Sequence, residues 1–193
     1  SCNTCWRTVV EGNRLECDNN PLVGEADEVD WKPAKVEKPK RVAIIGSGIA
    51  GLEAAWIAAA RGHEVTVYGA ADEAGGKTRL HAELPGGEHL SSIYDYQQLR
   101  AKQYKVQFRF GTHIDASNVA DLPADAFILA TGSTMSVPAF VPPEYAEEGF
   151  ILDLRSLMIS LRNRTTREEG RIVLFDQDHT EMTYAAALKL TDR

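Results

Sequence analysis

Three cysteines stand within the first 17 residues, and the rest of the chain contains none. Cys2 and Cys5 are separated by two residues, and Cys17 follows after eleven more in the stretch SCNTCWRTVVEGNRLEC. Clustered thiols in a chain of this composition more often bind a metal than form disulfides. Three thiols are one short of the usual four sulfur ligands, and no histidine precedes His63 to complete the set. The residues alone leave incidental thiols, a zinc knuckle and an iron–sulfur cluster open.

A second set of chemically useful residues is the glycine-rich stretch GSGIAG. Gly46 permits a tight turn, Gly48 leaves room for a pyrophosphate beside the backbone, and Gly51 lets a helix and a strand pack closely. Free backbone N–H groups at the start of the following helix would hold the anion. The predicted pyrophosphate-binding residues are Gly46, Ser47, Gly48, Ile49, Ala50 and Gly51.

The residue that usually binds the ribose is missing. In dinucleotide-binding folds an acid at the end of the second strand holds the ribose hydroxyls, but here Gly69 directly follows Tyr68. Asp72 and Glu73 come three and four residues after Gly69, and we interpret them as solvated loop charges. The pattern therefore predicts a pyrophosphate site without an acidic ribose clamp, and a glutamate at residue 69 is expected to tighten nucleotide binding.

These glycines need a β-α-β unit to position them, and the sequence predicts one. RVAIIG is typical of a short strand buried on both faces of a parallel sheet. SGIAGLEAAWIAAARG follows as an alanine-rich helix that ends at Gly62, and HEVTVY as a second strand. The predicted fold class is therefore α/β, with a Rossmann-like FAD/NAD(P)-binding domain built on a parallel central sheet.

Later segments extend this unit. SSIYDYQQLRAKQ predicts an amphipathic helix with Ile93, Tyr96 and Leu99 facing inward, and YKVQFRFG predicts a strand. ADAFILATGS predicts another buried strand, which ends at Thr131 and Gly132. Residues 1–40 are expected to be an irregular cysteine-bearing segment and an extended connector, and residues 41–150 the Rossmann-like domain. Residues 151–193 are expected to begin a second, truncated NAD-like domain with a strand and a helix that carries Met182, Ala185, Ala186 and Leu190 on one side.

Composition excludes several function classes. The net charge of −7 argues against binding to a nucleic-acid backbone. The sequence contains no run of 18 apolar residues, so it predicts no membrane span. Its first residues also lack the pattern of a signal peptide. The thiol usage favours a cytoplasmic location. No nucleophile–base pair or paired carboxylates stand in a catalytic context, so no catalytic residue is predicted.

Taken together in this order, SCNTC…C, GSGIAG, AGG at 74–76 and ATGS resemble the C-terminal part of one flavoenzyme family. Its members are the iron–sulfur flavoenzymes related to trimethylamine dehydrogenase and 2,4-dienoyl-CoA reductase, and the resemblance covers residues 2–192. It implies an N-terminal (β/α)8 barrel that holds FMN, then a [4Fe-4S] cluster, then a domain that binds FAD or ADP. Cys2, Cys5 and Cys17 would be the second, third and fourth cluster ligands, with the first ligand and the barrel lying before this chain.

The resemblance also implies further cofactor-binding residues, with Gly132 closing the nucleotide pocket. These residues are Tyr68, Gly76, Thr131 and Gly132. The substrate would be a small molecule bound in the absent barrel, so this chain alone is expected to show no turnover. A homo-oligomer is compatible with the resemblance.

The stretch DQDHTEM at 176–182 helps to choose between branches of the family. It lacks the glycines of a working NAD(P)H site, and Asp176 and Asp178 would repel a pyrophosphate. This favours the dehydrogenase and demethylase branch, whose members pass electrons to a protein acceptor such as an electron-transfer flavoprotein. The alternatives are a reductase that takes hydride from NAD(P)H, a free-standing flavin or nicotinamide oxidoreductase domain, and a purely structural nucleotide-binding module.

Overall fold

The computed structural model describes residues 3–29, 31–162, 170–177 and 179–191. By its internal contacts the chain divides into two compact units, Ser1–Arg79 with His89–Gly132 and Leu80–Glu88 with Ser133–Arg193. In chain order the elements are α1 (Thr4–Val10), β1 (Arg41–Ile45), α2 (Ile49–Ala60), β2 (Glu64–Tyr68), α3 (Gly76–Ala82), α4 (Ser91–Gln103), β3 (Gln107–Arg109), β4 (Ala126–Leu129), α5 (Pro143–Glu147), α6 (Leu154–Arg162) and α7 (Glu181–Thr191), with 3₁₀ turns at Glu88–Leu90 and Val119–Asp121.

The first unit is built on a four-stranded sheet in the order β3-β2-β1-β4. Every neighbouring pair is parallel, with Val42 of β1 beside Val65 of β2 on one side and Ala126 of β4 on the other. Parallel neighbours need crossover connections, and α2 supplies the one between β1 and β2. The predicted α/β class with a parallel central sheet is confirmed.

The core of this unit lies between α2 and one face of the sheet. Alternate strand residues share a face, and Val42, Ile44 and Val67 pack there against Ala55 and Ala59 of α2. Alanines on the helix let its backbone approach the sheet closely, which leaves Ile44 and Val67 fully buried. The helix therefore holds the turn between β1 and α2 firmly against the strands.

The last strand of the sheet is less buried than its apolar sequence predicts. Phe127 and Leu129 are 44% and 75% exposed, whereas Ala126 and Ile128 pack on the α2 core. The expectation of a buried strand was wrong because β4 lies at the edge of the sheet and α2 covers one face of it. A short apolar run does not reveal whether one or both faces are covered.

The helix α4 was predicted in the right place but with the wrong face inward. Tyr96 and Leu99 are exposed, and the buried residues are Tyr94, Gln97 and Ala101. The side-chain nitrogen of Gln97 donates a hydrogen bond of 3.0 Å to a Glu53 carboxylate oxygen, while the Gln97 side-chain oxygen has no hydrogen-bond partner among the described residues. The same oxygen accepts a 2.8 Å bond from the Trp56 indole. A buried polar group with a partner costs little, and hydrophobic periodicity cannot identify such a face.

An aromatic cluster fixes the connector to the first unit. Trp31 makes an edge contact with Trp56 at 6.1 Å between ring centroids, and Tyr104 stacks on Trp56 at 6.4 Å. The Arg100 guanidinium lies 4.7 Å from the centroid of the Trp56 ring, a cation–π distance. The connector is thus held at Trp31 as well as by its covalent ends.

At the start of β1, Arg41 and Asp125 form a two-pronged ion pair. An Arg41 guanidinium nitrogen lies 2.7 Å from one Asp125 oxygen, and the Arg41 backbone N–H donates to the other at 2.9 Å. The hydrogen bonds from Arg41 lower the pKa of Asp125 from 3.8 to about 2.

The lowered pKa makes stability depend on acidity in a defined window. A carboxylate with a lowered pKa stabilises the fold above its unfolded-state pKa and loses that contribution as the pH falls through the folded value. We expect the stability difference between the wild type and Asp125→Asn to be constant above about pH 4 and to shrink toward pH 2. Urea unfolding at a series of pH values measures it. Parallel profiles of the two proteins throughout would show that the pair does not form in solution. Arg41→Gln should reduce the same pH dependence without removing it, because the backbone N–H of residue 41 still donates to Asp125.

The second unit packs α6 and α7 around Leu84. Met158 and Leu161 of α6 and Ala185 and Ala186 of α7 are buried together, with Met182 and Leu190 packed around them. The predicted amphipathic side of this last helix is therefore correct. The strand predicted before it is not observed, since residues 171–175 join no sheet among the described residues. Val173 and Phe175 in that stretch are exposed.

None of the helices among the described residues has the length and apolar character needed to cross a bilayer.

Candidate functional site

The first residue of the turn that leaves β1, Gly46, has no room for a side chain. Gly46 has a φ of +115°, and a Cβ there would lie 2.1 Å from the Ala130 carbonyl oxygen. Its N–H donates to the Tyr68 carbonyl at 2.8 Å. The turn is therefore fixed between the ends of β2 and β4, as the tight-turn role requires.

Gly51 brings α2 against that turn. A Cβ on Gly51 would lie 2.0 Å from the Gly46 carbonyl oxygen and 3.4 Å from the Ala130 Cβ. The predicted role of this glycine, close packing of helix on strand, matches the position in which the structure places it.

Gly48 differs from both, because it faces open space. A Cβ there would meet nothing within 4 Å, and its φ of −73° suits any residue. It caps α2, whose first turn, including Ile49 and Ala50, contains no acidic residue. The free N–H groups and the positive end of the helix dipole are therefore not neutralised by the helix's own side chains. A pyrophosphate fits such a surface.

A second glycine loop lies directly beside the first. The Gly75 N–H donates to the Ser47 carbonyl at 2.9 Å, and Gly48 and Gly75 form an isolated parallel bridge. A Cβ on Gly76 would lie 3.0 Å from the Gly48 Cα. The structure thus brings Gly76 to the predicted pyrophosphate site, 28 positions along the chain from Gly48.

The side chain of Arg79 positions this second loop. Its Nε donates to the Ala74 carbonyl at 2.7 Å, and its guanidinium lies 4.5 Å from the Tyr94 ring centroid. Glu73, interpreted from the sequence as a solvated loop charge, is 3.3 Å from the same Nε. Sequence reasoning missed Arg79 and Tyr94, for which no motif gave a signal.

The residues after β4 complete the group at the carboxyl ends of the strands. The Ala130 N–H donates to the Ile45 carbonyl at 2.8 Å, which places Thr131 and Gly132 next to the turn at Gly46. Thr131 and Gly132 are exposed, and Gly132 has a φ of +79°. Closure of the pocket by Gly132 stays a prediction.

Tyr68 meets the site through its backbone. Its carbonyl accepts the Gly46 N–H, whereas its side chain lines a groove on the sheet face opposite α2, with Thr66, Gln107 and Arg109. A cofactor contact by the Tyr68 ring stays a prediction.

Gly69, at the position predicted to face the ribose, is buried, and side chains from other parts of the chain lie beside it. A Cβ there would lie 2.5 Å from Ser47 Oγ and 3.3 Å from Phe110 Cδ1. The glutamate expected to tighten binding therefore does not fit unless Ser47 moves. Phe110 was also missed, although its place at the end of an alternating strand was visible in the sequence.

The cysteine segment is described only in part. Cys5 lies exposed on α1, Cys17 is half-buried in the irregular stretch that follows, and both are free thiols. Cys2 lies outside the described residues, as does Asp178 of the branch argument. Within the described ranges, no three His, Cys, Asp or Glu residues form a group that could hold a metal ion. Thiols suit a [4Fe-4S] cluster chemically, but the described part supplies two of them.

Comparison with known proteins gives one matching family model and several relatives. The model of the pyridine nucleotide-disulphide oxidoreductases matches residues 20–84 and 40–174. N,N-dimethylglycine/sarcosine dehydrogenase of Chromohalobacter salexigens is 44% identical over 132 residues, covering 67% of this chain and 19% of that protein. A multifunctional alkene reductase/demethylase of Caballeronia cordobensis is 31% identical over 179 residues, covering 93% of this chain and 25% of that protein.

Among solved structures, 6-hydroxypseudooxynicotine amine oxidase of Pseudomonas geniculata superposes with a TM-score of 0.78 and 26% identity. The match covers 99% of this chain and 29% of the oxidase. The chain spans about a fifth to a quarter of the length of the curated relatives it matches.

Proposed function

Because the chain belongs to the pyridine nucleotide-disulphide oxidoreductase family, we propose that its glycine site binds the ADP part of FAD, or ADP itself. The predicted resemblance to flavoenzymes related to trimethylamine dehydrogenase and 2,4-dienoyl-CoA reductase is confirmed by its relatives. The observation that carries the proposal is the open space at Gly48 in front of an α2 N-terminus with no acid in its first turn. Only a negatively charged, closely approaching group uses that combination fully.

The whole protein, in this proposal, is an iron–sulfur flavoprotein oxidoreductase of the amine dehydrogenase and demethylase type. A relative named for dimethylglycine and sarcosine supports a methylated amine as the substrate class. Substrate chemistry belongs to an FMN-containing barrel outside this chain, and electrons leave to an acceptor such as an electron-transfer flavoprotein. The clustered thiols support a cytoplasmic location for the protein.

The cysteines carry the iron–sulfur part of the proposal. Cys2, Cys5 and Cys17 would hold a [4Fe-4S] cluster together with one ligand from outside the chain. When bound, such a cluster supplies one-electron transfer. The exposed position of Cys5 on α1 leaves its thiol accessible to iron and to a neighbouring domain.

A second candidate function is the corresponding part of an NAD(P)H-dependent enoate reductase. The Caballeronia relative supports this candidate, because it is named both alkene reductase and demethylase. The absence of an acid at Gly69 favours a third role, in which a nucleotide stabilises the fold without exchanging electrons.

Identification of the nucleotide that copurifies with the protein tests the proposal. The chain is purified, denatured and filtered, and the released compounds are identified by chromatography and absorbance. We expect FAD or ADP at a ratio approaching one per chain. FAD would favour a redox-active domain, and ADP a structural nucleotide. A protein that releases neither, and that does not bind added ADP in calorimetry, would contradict the proposed site.

A further inference from the structure

We propose that Phe110, beside Gly69, forms an aromatic subsite for the adenosine end of the nucleotide, so that binding does not depend on the ribose 2′-hydroxyl. This inference rests on the proposed binding of an adenine nucleotide. It makes Phe110 a specificity-determining residue beside position 69, where related folds use a carboxylate.

The topology places adenosine over this part of the sheet. A nucleotide whose pyrophosphate lies at the start of α2 extends its ribose toward the carboxyl end of β2. Gly69 directly follows β2, and Phe110 directly follows the neighbouring strand β3. Both residues therefore lie on the nucleotide's path from β1 toward the β3 edge.

Backbone hydrogen bonds hold these two strand ends together. The Gly69 N–H donates to the Arg109 carbonyl, and the Thr112 N–H donates to the Gly69 carbonyl, both at 2.9 Å. The Phe110 Cδ1 lies 3.3 Å from the Cβ position of residue 69, where the first atom of an acidic side chain would start. The edge of the ring and Ser47 Oγ thus crowd the place where the Cβ of a ribose-binding acid would lie.

The Phe110 ring can contact a base while held by the protein. Its ring stacks on Phe108 at 5.3 Å with an interplanar angle of 16°, and the residue is 38% exposed. Phe108 packs on the α2 core, so this stack is anchored. Stacking of a base on an aromatic side chain contributes to the binding free energy through the π-face of the base. It needs no contact with the sugar hydroxyls.

The carboxylate that could contradict this arrangement is Asp72. The Asp72 Oδ1 lies 3.4 Å from the Cβ position of Gly111, and the Gly111 N–H donates to the Ala71 carbonyl. Asp72 is therefore close to Phe110 in space and must be included in the test as a competing ribose ligand.

The test measures binding of ADP and 2′-deoxy-ADP to the 193-residue chain by calorimetry. Where a carboxylate binds the ribose, loss of the hydroxyl costs roughly 10- to 100-fold in affinity. Here we expect the two ligands to bind within about twofold of each other, since no charged group reads the hydroxyl. Phe110→Ala should weaken both ligands equally, by roughly tenfold, and Phe110→Tyr should bind like the wild type.

Phe127→Ala is the matched control, because Phe127 has similar exposure on the opposite edge strand. It should change neither affinity. Weaker binding of 2′-deoxy-ADP by tenfold or more would overturn the inference, and recovery of equal binding in Asp72→Asn would assign the clamp to Asp72. Unchanged affinity in folded Phe110→Ala would also overturn it. Failure of the wild type to bind either ligand would instead remove the proposed nucleotide site itself.

Discussion

Replacing Gly48 with alanine should weaken ADP binding roughly 10- to 100-fold, the value of one or two lost hydrogen bonds to a charged group. In the proposed function, the added Cβ would stand where the pyrophosphate approaches the free N–H groups at the start of α2, and none of the described residues comes within 4 Å of that Cβ position. The backbone at Gly48 has a φ of −73°, which alanine adopts without strain. Stability should therefore change by at most about 1 kcal/mol, the usual cost of alanine at a helix N-cap.

Calorimetry with ADP measures the effect of Gly48→Ala on binding, and thermal unfolding of the same preparation measures its effect on stability. Leu99→Ala is the control, since it shortens an exposed side chain of α4, outside the glycine site. It should bind ADP as tightly as the wild type. Normal binding by Gly48→Ala would mean that the anion does not approach the backbone here.

Replacing Gly51 with alanine should have the opposite profile, with a loss of stability of about 3 kcal/mol. Helix propensity alone predicts a gain of about 1 kcal/mol, because alanine is the best helix former and glycine a poor one. The added Cβ, however, would lie 2.0 Å from the Gly46 carbonyl oxygen, a backbone atom fixed by the turn. Overlap with backbone cannot be relieved by rotating a side chain, so we expect the clash to dominate.

Urea unfolding followed by circular dichroism measures this difference, with Gly48→Ala as the control for a glycine-to-alanine change in open space. A Gly51→Ala protein as stable as the wild type would show that α2 and the turn after β1 lie farther apart than the 2.0 Å approach to the Gly46 carbonyl oxygen implies. The comparison also tests whether Gly48 is needed for ligand binding and Gly51 for the stability of the fold.

Much of the central unit could be predicted because its signals are local. The residues of β1, the alanine-rich α2 and β2 follow one another with clear periods, and the glycines at 46, 48 and 51 each correspond to a place where the fold or a ligand needs space. In the structure, Gly46 and Gly51 lie where a Cβ would overlap backbone atoms, and Gly48 faces open space. The nearness of Gly76 to Gly48 could be expected only from the motif order in related proteins.

Other features depend on tertiary contacts between distant residues, which a single sequence does not reveal. The inward face of α4 carries Gln97, which is buried because Glu53, far away in sequence, accepts its hydrogen bond. The exposure of Leu129 depends on β4 lying at an edge. Arg79 and Phe110 could not be singled out in the sequence, because neither belongs to a recognisable motif and only their contacts in the fold place them beside the glycine loops.

The bridge between Gly48 and Gly75 also bears on the speed of ligand capture. The two glycine loops are joined by hydrogen bonding between their own backbones, so we expect their conformational entropy to be lost during folding and not during association. A preorganised site of this kind needs no loop closure before the phosphates dock. The association rate should then depend on diffusion and on salt, and rise in proportion to ligand concentration without reaching a plateau.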